Sequence, residues 1–62
     1  MNALGIVETN SIPKGIEAGD AMLKAADVQL AAAQTACAGK YIVIVTGEVA
    51  AVKASVEAGR EA

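Results

Sequence analysis

The stretch that decides the fold is Tyr-Ile-Val-Ile-Val, at residues 41–45 of this 62-residue chain. Aromatic and β-branched residues favour strands, and an uninterrupted apolar run is typical of a strand that is buried on both faces. Residues 40–46 therefore predict a strand of this kind. The polar residues Thr46-Gly47-Glu48 are predicted to end it.

Two further strands are predicted upstream. Residues 3–9, Ala-Leu-Gly-Ile-Val-Glu-Thr, form a short apolar run that ends in polar residues, which is typical of an opening strand. Residues 28–35 begin with alternating side chains and continue into three alanines, which favours a strand but leaves a helical continuation open. The segment between the last two strands, residues 36–39, predicts a compact turn.

A helix is predicted directly after the first strand. Pro13 suits a first helical turn, where its missing N–H costs nothing, and Ser11 or Asn10 can cap the helix. The predicted apolar face comprises Ile12, Ile16, Gly19, Leu23 and Ala26, and the polar face comprises Glu17, Asp20, Lys24 and Asp27. Asp20 and Lys24 are four residues apart, so we expect a surface ion pair worth about 0.2–0.5 kcal/mol.

A second helix is predicted after the 40–46 strand. Its inner stripe comprises Val49, Val52, Val56 and Gly59, and its outer face carries Lys53, Glu57, Arg60 and Glu61. The element order is then β-α-β-β-α. This order predicts an α/β domain of the α+β type, with the ferredoxin-like split β-α-β arrangement but without its final strand, which would lie beside the first, and its final helix.

Composition limits the classes of function. A chain of this size buries a small core and usually needs disulfides, a metal or self-association, and its single cysteine excludes an intrachain disulfide. A net charge of −2 without a basic cluster argues against nucleic-acid binding. The longest apolar run is far below the roughly 20 residues of a membrane span. Because a signal-peptide pattern is also absent, we expect a cytoplasmic, self-associating protein without membrane binding.

Catalysis has little support in the sequence. Histidine is absent, and no spacing predicts two carboxylates together in a cleft. Gly39-Lys40 lacks the spacing and the following helix of a phosphate-binding loop. We therefore expect a protein that is not an enzyme. A small-molecule regulatory module is an alternative, because the ferredoxin-like fold hosts many functions.

Four segments match, in order, the sequence of a known family. They are residues 3–9, Gly-Ile-Glu-Ala-Gly-Asp-Ala-Met-Leu-Lys-Ala-Ala at 15–26, Ile-Val-Thr-Gly-Glu at 44–48 and Val-Ala-Ala-Val-Lys-Ala at 49–54. Together they resemble the bacterial microcompartment (BMC) shell domain along essentially the whole chain. The resemblance implies a flat hexamer, or a trimeric pseudohexamer of tandem domains, that tiles with other shell proteins around encapsulated enzymes. The centre of each tile would be a metabolite pore.

The resemblance also implies roles for particular residues. Lys24 falls where the family has a lysine at the contact between neighbouring tiles, although a solvated helix lysine is the alternative interpretation. The predicted turn, Ala36-Cys37-Ala38-Gly39, aligns with the family's pore loop. Its sequence resembles the pore loop in the first domain of the tandem shell proteins of propanediol-utilisation compartments.

That likeness implies a cofactor. One Cys37 from each of three chains would hold a four-iron, four-sulfur (4Fe-4S) cluster for electron transfer across the shell, since such clusters bind thiolates. The alternatives are a plain metabolite pore without a cluster, and a cysteine that is a small buried hydrophobe. Residues 1–62 are predicted to form one BMC shell domain that is incomplete. A tandem protein beginning with this domain would assemble as a trimer, and a single-domain protein as a hexamer.

Overall fold

The computed structural model describes residues 2–61, and for Ala38 it describes the backbone alone. The strands are β1 (Asn2–Thr9), β2 (Gln29–Thr35) and β3 (Tyr41–Glu48), and the helices are α1 (Ile12–Ala25) and α2 (Val49–Glu61). One turn of 3-10 helix, Cys37–Gly39, precedes β3. The predicted α+β class and the order β-α-β-β-α are confirmed, and the helical alternative for residues 28–35 is wrong.

The three strands form one antiparallel sheet in the order β1-β3-β2. The strand β3 is therefore central, as its apolar sequence requires. The other edge of β1 pairs with no strand in the part of the chain that the structure describes. A groove of about 520 Å³ runs along this edge, between β1 and α2, and its apolar lining includes Leu4, Ile6, Val52 and Val56.

The strand β3 differs from its prediction in two respects. It continues through Thr46-Gly47-Glu48, the segment predicted to end it, because these residues pair with the first residues of β1. Only one face of β3 is buried: Val43 and Val45 have no exposed surface, whereas Ile42 and Ile44 are partly exposed. The prediction of burial on both faces is wrong because the core under both helices contains only the face with Val43 and Val45.

The start of α1 follows the prediction from sequence. The Ser11 hydroxyl caps the helix by accepting a hydrogen bond from the Lys14 N–H at 3.3 Å, and Pro13 occupies the first turn. Further along the helix, Lys24 Nζ lies 2.9 Å from Asp20 Oδ2, which confirms the predicted ion pair. Both side chains are mostly exposed, so the pair contributes little to stability.

The predicted apolar face of α1 is not its buried face. The residues that α1 buries are Gly15, Ala18 and Met22. Of the predicted face, Ile12, Ile16 and Leu23 are 39, 57 and 42 % exposed, and Gly19 and Ala26 are half-buried. A Cβ atom on Gly15 would collide with the Tyr41 side chain. The helix therefore lies too close to the sheet for a large side chain at this position, and its large aliphatic side chains point elsewhere.

The helix α2 approaches the core equally closely. Its buried residues are Val52, Ser55 and Gly59. A Cβ atom on Gly59 would lie only 2.6 Å from Met22 Cγ, and the buried Ser55 hydroxyl donates a 2.9 Å hydrogen bond to the Met22 carbonyl oxygen. The two helices are thus joined by small residues and one buried hydrogen bond, which stabilises their contact by about 1 kcal/mol.

The predicted inner stripe of α2 is correct in part. Val52 and Gly59 are buried, and Val56 packs against the core. Val49 is exposed, so its placement in the stripe is wrong. Ser55, which the predicted stripe did not include, is buried where the two helices touch.

We expect Gly15→Ala and Gly59→Ala each to lower the free energy of unfolding by about 1–3 kcal/mol, the usual cost of overpacking a core. Urea unfolding at low protein concentration measures this change. Gly19→Ala is the matched control, because a Cβ atom there would be in ordinary contact with Val43, at 3.4 Å. Alanine should stabilise the helix at position 19 by up to about 1 kcal/mol. Equal losses in all three variants would contradict the close approach of the helices.

Candidate functional site

The candidate site is the turn that joins β2 to β3. The last pair of the two strands is Thr35 with Tyr41. Beyond it the Ala36 N–H donates to the Lys40 carbonyl oxygen at 2.7 Å, and the Lys40 N–H donates to the Cys37 carbonyl oxygen at 3.4 Å. These two hydrogen bonds close a short turn at the end of a central strand, so the turn is held by the sheet.

Gly39 allows the turn to be this short. Its φ angle is +77°, in the left-handed region that side-chain-bearing residues avoid. Apart from its two chain neighbours, no described residue has an atom within 4 Å of the position that a Cβ atom on Gly39 would occupy, so backbone conformation, and not space, requires glycine here. The turn is therefore compact, and its surroundings within the chain are open.

Cys37 carries the reactive group of the turn. It is a free cysteine and its side chain is exposed. The alternative interpretation of this residue as a small buried hydrophobe is therefore wrong for the isolated chain. Its neighbours Ala36 and Gly39 are small, and the Ala38 side chain lies outside the described part of the structure.

Residues 2–61 of one chain do not hold a complete set of metal ligands. Among residues 2–61, no three His, Cys, Asp or Glu side chains are grouped so that they could hold a metal ion. An iron–sulfur cluster is held by several cysteine thiolates. An exposed thiol on a turn is accessible to other cysteines, and Cys37 is the one cysteine of these 62 residues, so a thiolate set at Cys37 needs cysteines from outside them.

An ion pair that the sequence did not predict lies beside the turn. Lys40 Nζ is 3.9 Å from Glu8 Oε1, and both side chains are about half exposed. The pairing of Thr9 with Tyr41 brings the end of β1 next to the start of β3 and so places these two charges together. Only the strand register reveals this contact, because Glu8 and Lys40 are far apart in sequence.

Lys24, the predicted tile-edge residue, lies far from Cys37. Gly15, in the first half of α1, packs against Tyr41 at the base of the turn. Lys24 is nine residues further along the same helix, which corresponds to about 14 Å at 1.5 Å per residue. The structure thus keeps the two predicted site residues apart, with Cys37 at one end of the molecule and Lys24 towards the other.

A second groove, with a polar lining, lies at the end of the molecule away from the turn. It has a volume of about 240 Å³, and its lining includes Asp27, Gln29, Thr46 and Glu48. Two carboxylates therefore line one groove, although the sequence predicted no such pairing. The groove forms because β3 continues to Glu48 and the chain leaves α1 beside it.

Similar proteins identify the family. The BMC domain family matches residues 3–62. The bacterial microcompartment shell protein PduT of Citrobacter freundii is 49% identical over 57 residues, which are 92% of this chain and 31% of that protein. The carboxysome shell protein CsoS1C of Halothiobacillus neapolitanus is 48% identical over 60 residues, which are 97% of this chain and 61% of that protein.

A solved structure agrees with these relatives. The crystal structure of a microcompartment protein from Desulfitobacterium hafniense DCB has a TM-score of 0.97 and 59% identity, over 98% of this chain and 34% of that one. The chain spans less than two thirds of the length of each of these three proteins. No helix among the described residues is long and apolar enough to cross a membrane. With both the sequence and the fold matched over nearly its whole length, the chain belongs to the BMC domain family of bacterial microcompartment shell proteins.

Proposed function

We propose that the protein is a shell subunit whose copies form hexamer-like tiles around a pore, with the turn at residues 36–39 lining that pore. The observation that carries this proposal is the exposed position of Cys37 on a short turn held by the central strand. A rotation axis beside the turn would bring together one Cys37 thiol from each chain. Lys24 would lie towards the other end of α1, where a neighbouring tile can contact it.

The number of chains in a tile depends on the length of the natural protein. A protein with one such domain would form a hexamer. A protein with two such domains would form a trimer whose six domains are arranged like a hexamer. The relatives support both cases, because this chain matches 61% of CsoS1C but only 31% of PduT. Other shell proteins and encapsulated enzymes are the partners that this role requires.

The domain itself is proposed to be completed by a further strand beside β1. The free edge of β1 and the apolar groove between β1 and α2 support this, because an exposed strand edge is a template for pairing. We expect slow hydrogen exchange along both edges of β1 in the natural protein, and along the β3-facing edge alone in residues 1–62. Equal exchange in the two proteins would contradict the additional strand.

We assign Cys37 as the ligand of a 4Fe-4S cluster, with one thiolate from each of three chains. Exposure of the thiol, the small side chain of Ala36 and the open space around Gly39 support this fit. When bound, the cluster would supply one-electron transfer across the shell. The protein's own contribution would be to present one Cys37 thiolate from each of three chains around a shared rotation axis.

The cluster is tested by anaerobic iron–sulfide reconstitution of the assembled natural protein. We expect about four iron atoms per three chains and a broad visible absorbance, and Cys37→Ser should remove both without changing the assembled mass in light scattering. Thr35→Ser is the matched control, since it alters an exposed neighbour without removing a thiol. Its iron content should equal that of the unmodified protein.

A colourless, iron-free protein that still assembles would contradict the cluster and favour the plain metabolite pore. A Cys37→Ser variant that no longer assembles would instead assign the cysteine a structural role. A protein that stays monomeric and binds a small molecule would favour the regulatory module. Mass and iron content together therefore distinguish the three functions.

Lys24 is proposed as the contact between tiles. Its exposed position towards the C-terminal end of α1, and its pairing with an exposed Asp20, support this role. We expect Lys24→Ala to abolish extended sheets in electron microscopy while single tiles persist. The free energy of unfolding should change by no more than about 0.5 kcal/mol.

The control for this variant is Lys53→Ala, which removes an exposed lysine from α2. Sheets should persist in that variant. Sheets of normal size in Lys24→Ala would contradict the tile-edge role and leave Lys24 as a solvated surface lysine.

A further inference from the structure

The last turn of α1 is held by a side chain of the other helix. The Ser55 hydroxyl donates a 2.9 Å hydrogen bond to the Met22 carbonyl oxygen, and neither residue has any exposed surface. Among the residues whose burial the structure describes, Ser55 is the buried polar one. The helix α1 ends three residues after Met22, at Ala25. The hydrogen bond therefore reaches the backbone of α1 close to the point where the chain leaves the helix.

The backbone that follows Ala25 does not form the usual end of a helix. Many helices end with a residue in the left-handed region, which lets the next N–H groups bond back to the last turn. Ala26 is extended instead, with φ −156° and ψ 166°. The Val28 N–H donates to the Ala26 carbonyl oxygen at 3.0 Å, outside the helix. The hydroxyl of Ser55 thus supplies from α2 a contact with the last turn that a left-handed cap would otherwise supply.

Stability alone does not explain a serine at position 55. Serine favours a helix less than alanine does, and burial of its hydroxyl costs a desolvation free energy that the hydrogen bond offsets. The smaller alanine would fit in the same space. Apolar packing has no preferred direction, whereas a hydrogen bond weakens steeply when its angle changes. The hydroxyl therefore adds a fixed orientation of the last turn of α1.

Lys24 lies on the side of α1 opposite Met22. Residues two apart in an α-helix are separated by about 200° around its axis. Lys24 follows Met22 by two residues and Asp20 precedes it by two, so both members of the exposed ion pair point away from the core. A rotation of the last turn by about 20° would move an atom that lies about 6 Å from the helix axis by about 2 Å. Such a shift exceeds the range of hydrogen-bond distances, so it would misplace Lys24 in a contact.

We propose that Ser55 is a positioning residue for the tile edge, because its hydrogen bond to the Met22 carbonyl fixes the direction in which Lys24 leaves α1. The inference rests on the proposed role of Lys24 between tiles, to which it adds a residue of the other helix. Ser55 has no exposed surface in the chain, so it contacts no neighbouring tile itself. It acts on sheet formation through the orientation of α1.

Ser55→Ala in the natural protein tests this role. The mass of the tile in light scattering should not change, because the variant removes no apolar contact. We expect the protein concentration at which sheets appear in electron microscopy to rise at least about fivefold, the equilibrium change that corresponds to one ordinary hydrogen bond. Below that concentration, hydrogen exchange at the amides of residues 23–26 should become faster by a similar factor, while exchange at residues 16–18 stays unchanged.

Met22→Leu is the matched control. It changes the side chain that packs on Gly59 but keeps the carbonyl that accepts the hydrogen bond, and a swap of similar volume is usually tolerated. Sheets should form at nearly the same concentration as in the unmodified protein. An equal rise in Met22→Leu and Ser55→Ala would show that sheets depend on the packing of the helices in general, and would overturn the proposal.

Lys24→Ala separates this inference from the proposed tile edge. If that variant loses its sheets while Ser55→Ala forms them at an unchanged concentration, the positioning role is overturned and the tile-edge role stands. Normal sheets in Lys24→Ala would overturn both. A Ser55→Ala protein that unfolds or no longer forms tiles would assign the hydroxyl to stability, and would overturn the proposal as well.

Discussion

The fold depends on how closely two helices lie on one small sheet. Gly15 leaves room for the Tyr41 ring, Gly59 leaves room for Met22, and the Ser55 hydroxyl bonds to the Met22 carbonyl where the helices touch. A side chain at either glycine would force the layers apart. Small residues therefore occupy the inside of both helices beside Met22 and Val52, and the isoleucine and leucine side chains of α1 have no place between the helices and the sheet.

This packing leaves a small core. The buried hydrophobic residues of the described chain are Val7, Ala18, Met22, Val43, Val45 and Val52. A domain of this size gains little stability from one core and usually depends on disulfides, a metal or association. The exposed isoleucine and leucine side chains give association an energetic reason, since each that is fully buried contributes about 1.5–3 kcal/mol. The small residues inside the helices thus leave both a small core and exposed aliphatic side chains, so folding and assembly depend on the same residues.

The sequence predicted which segments form strands and helices better than it predicted which side of each is buried. The β-branched run of β3, the Ser11 cap and the spacing of Asp20 and Lys24 are local signals, and the structure confirms all three. The buried side of α1 was predicted wrongly because the prediction followed the spacing of the most hydrophobic side chains. Gly15 and Ala18 are buried, but their small side chains add little to that pattern. The end of β3 was missed because pairing with β1, which is distant in sequence, extends the strand to Glu48.

The candidate site shows the same division between local and distant signals. The turn around Cys37 could be predicted from its small residues, but the Glu8–Lys40 contact depends on strand register, and a three-chain thiolate set depends on symmetry that one sequence does not contain. The small core and the exposed aliphatic side chains imply that the chain reaches its stable state by association. Urea unfolding over a wide range of protein concentrations tests this most directly. We expect the midpoint to rise with concentration, because association stabilises the folded state by mass action; a constant midpoint with a monomeric mass throughout would contradict stabilisation by association.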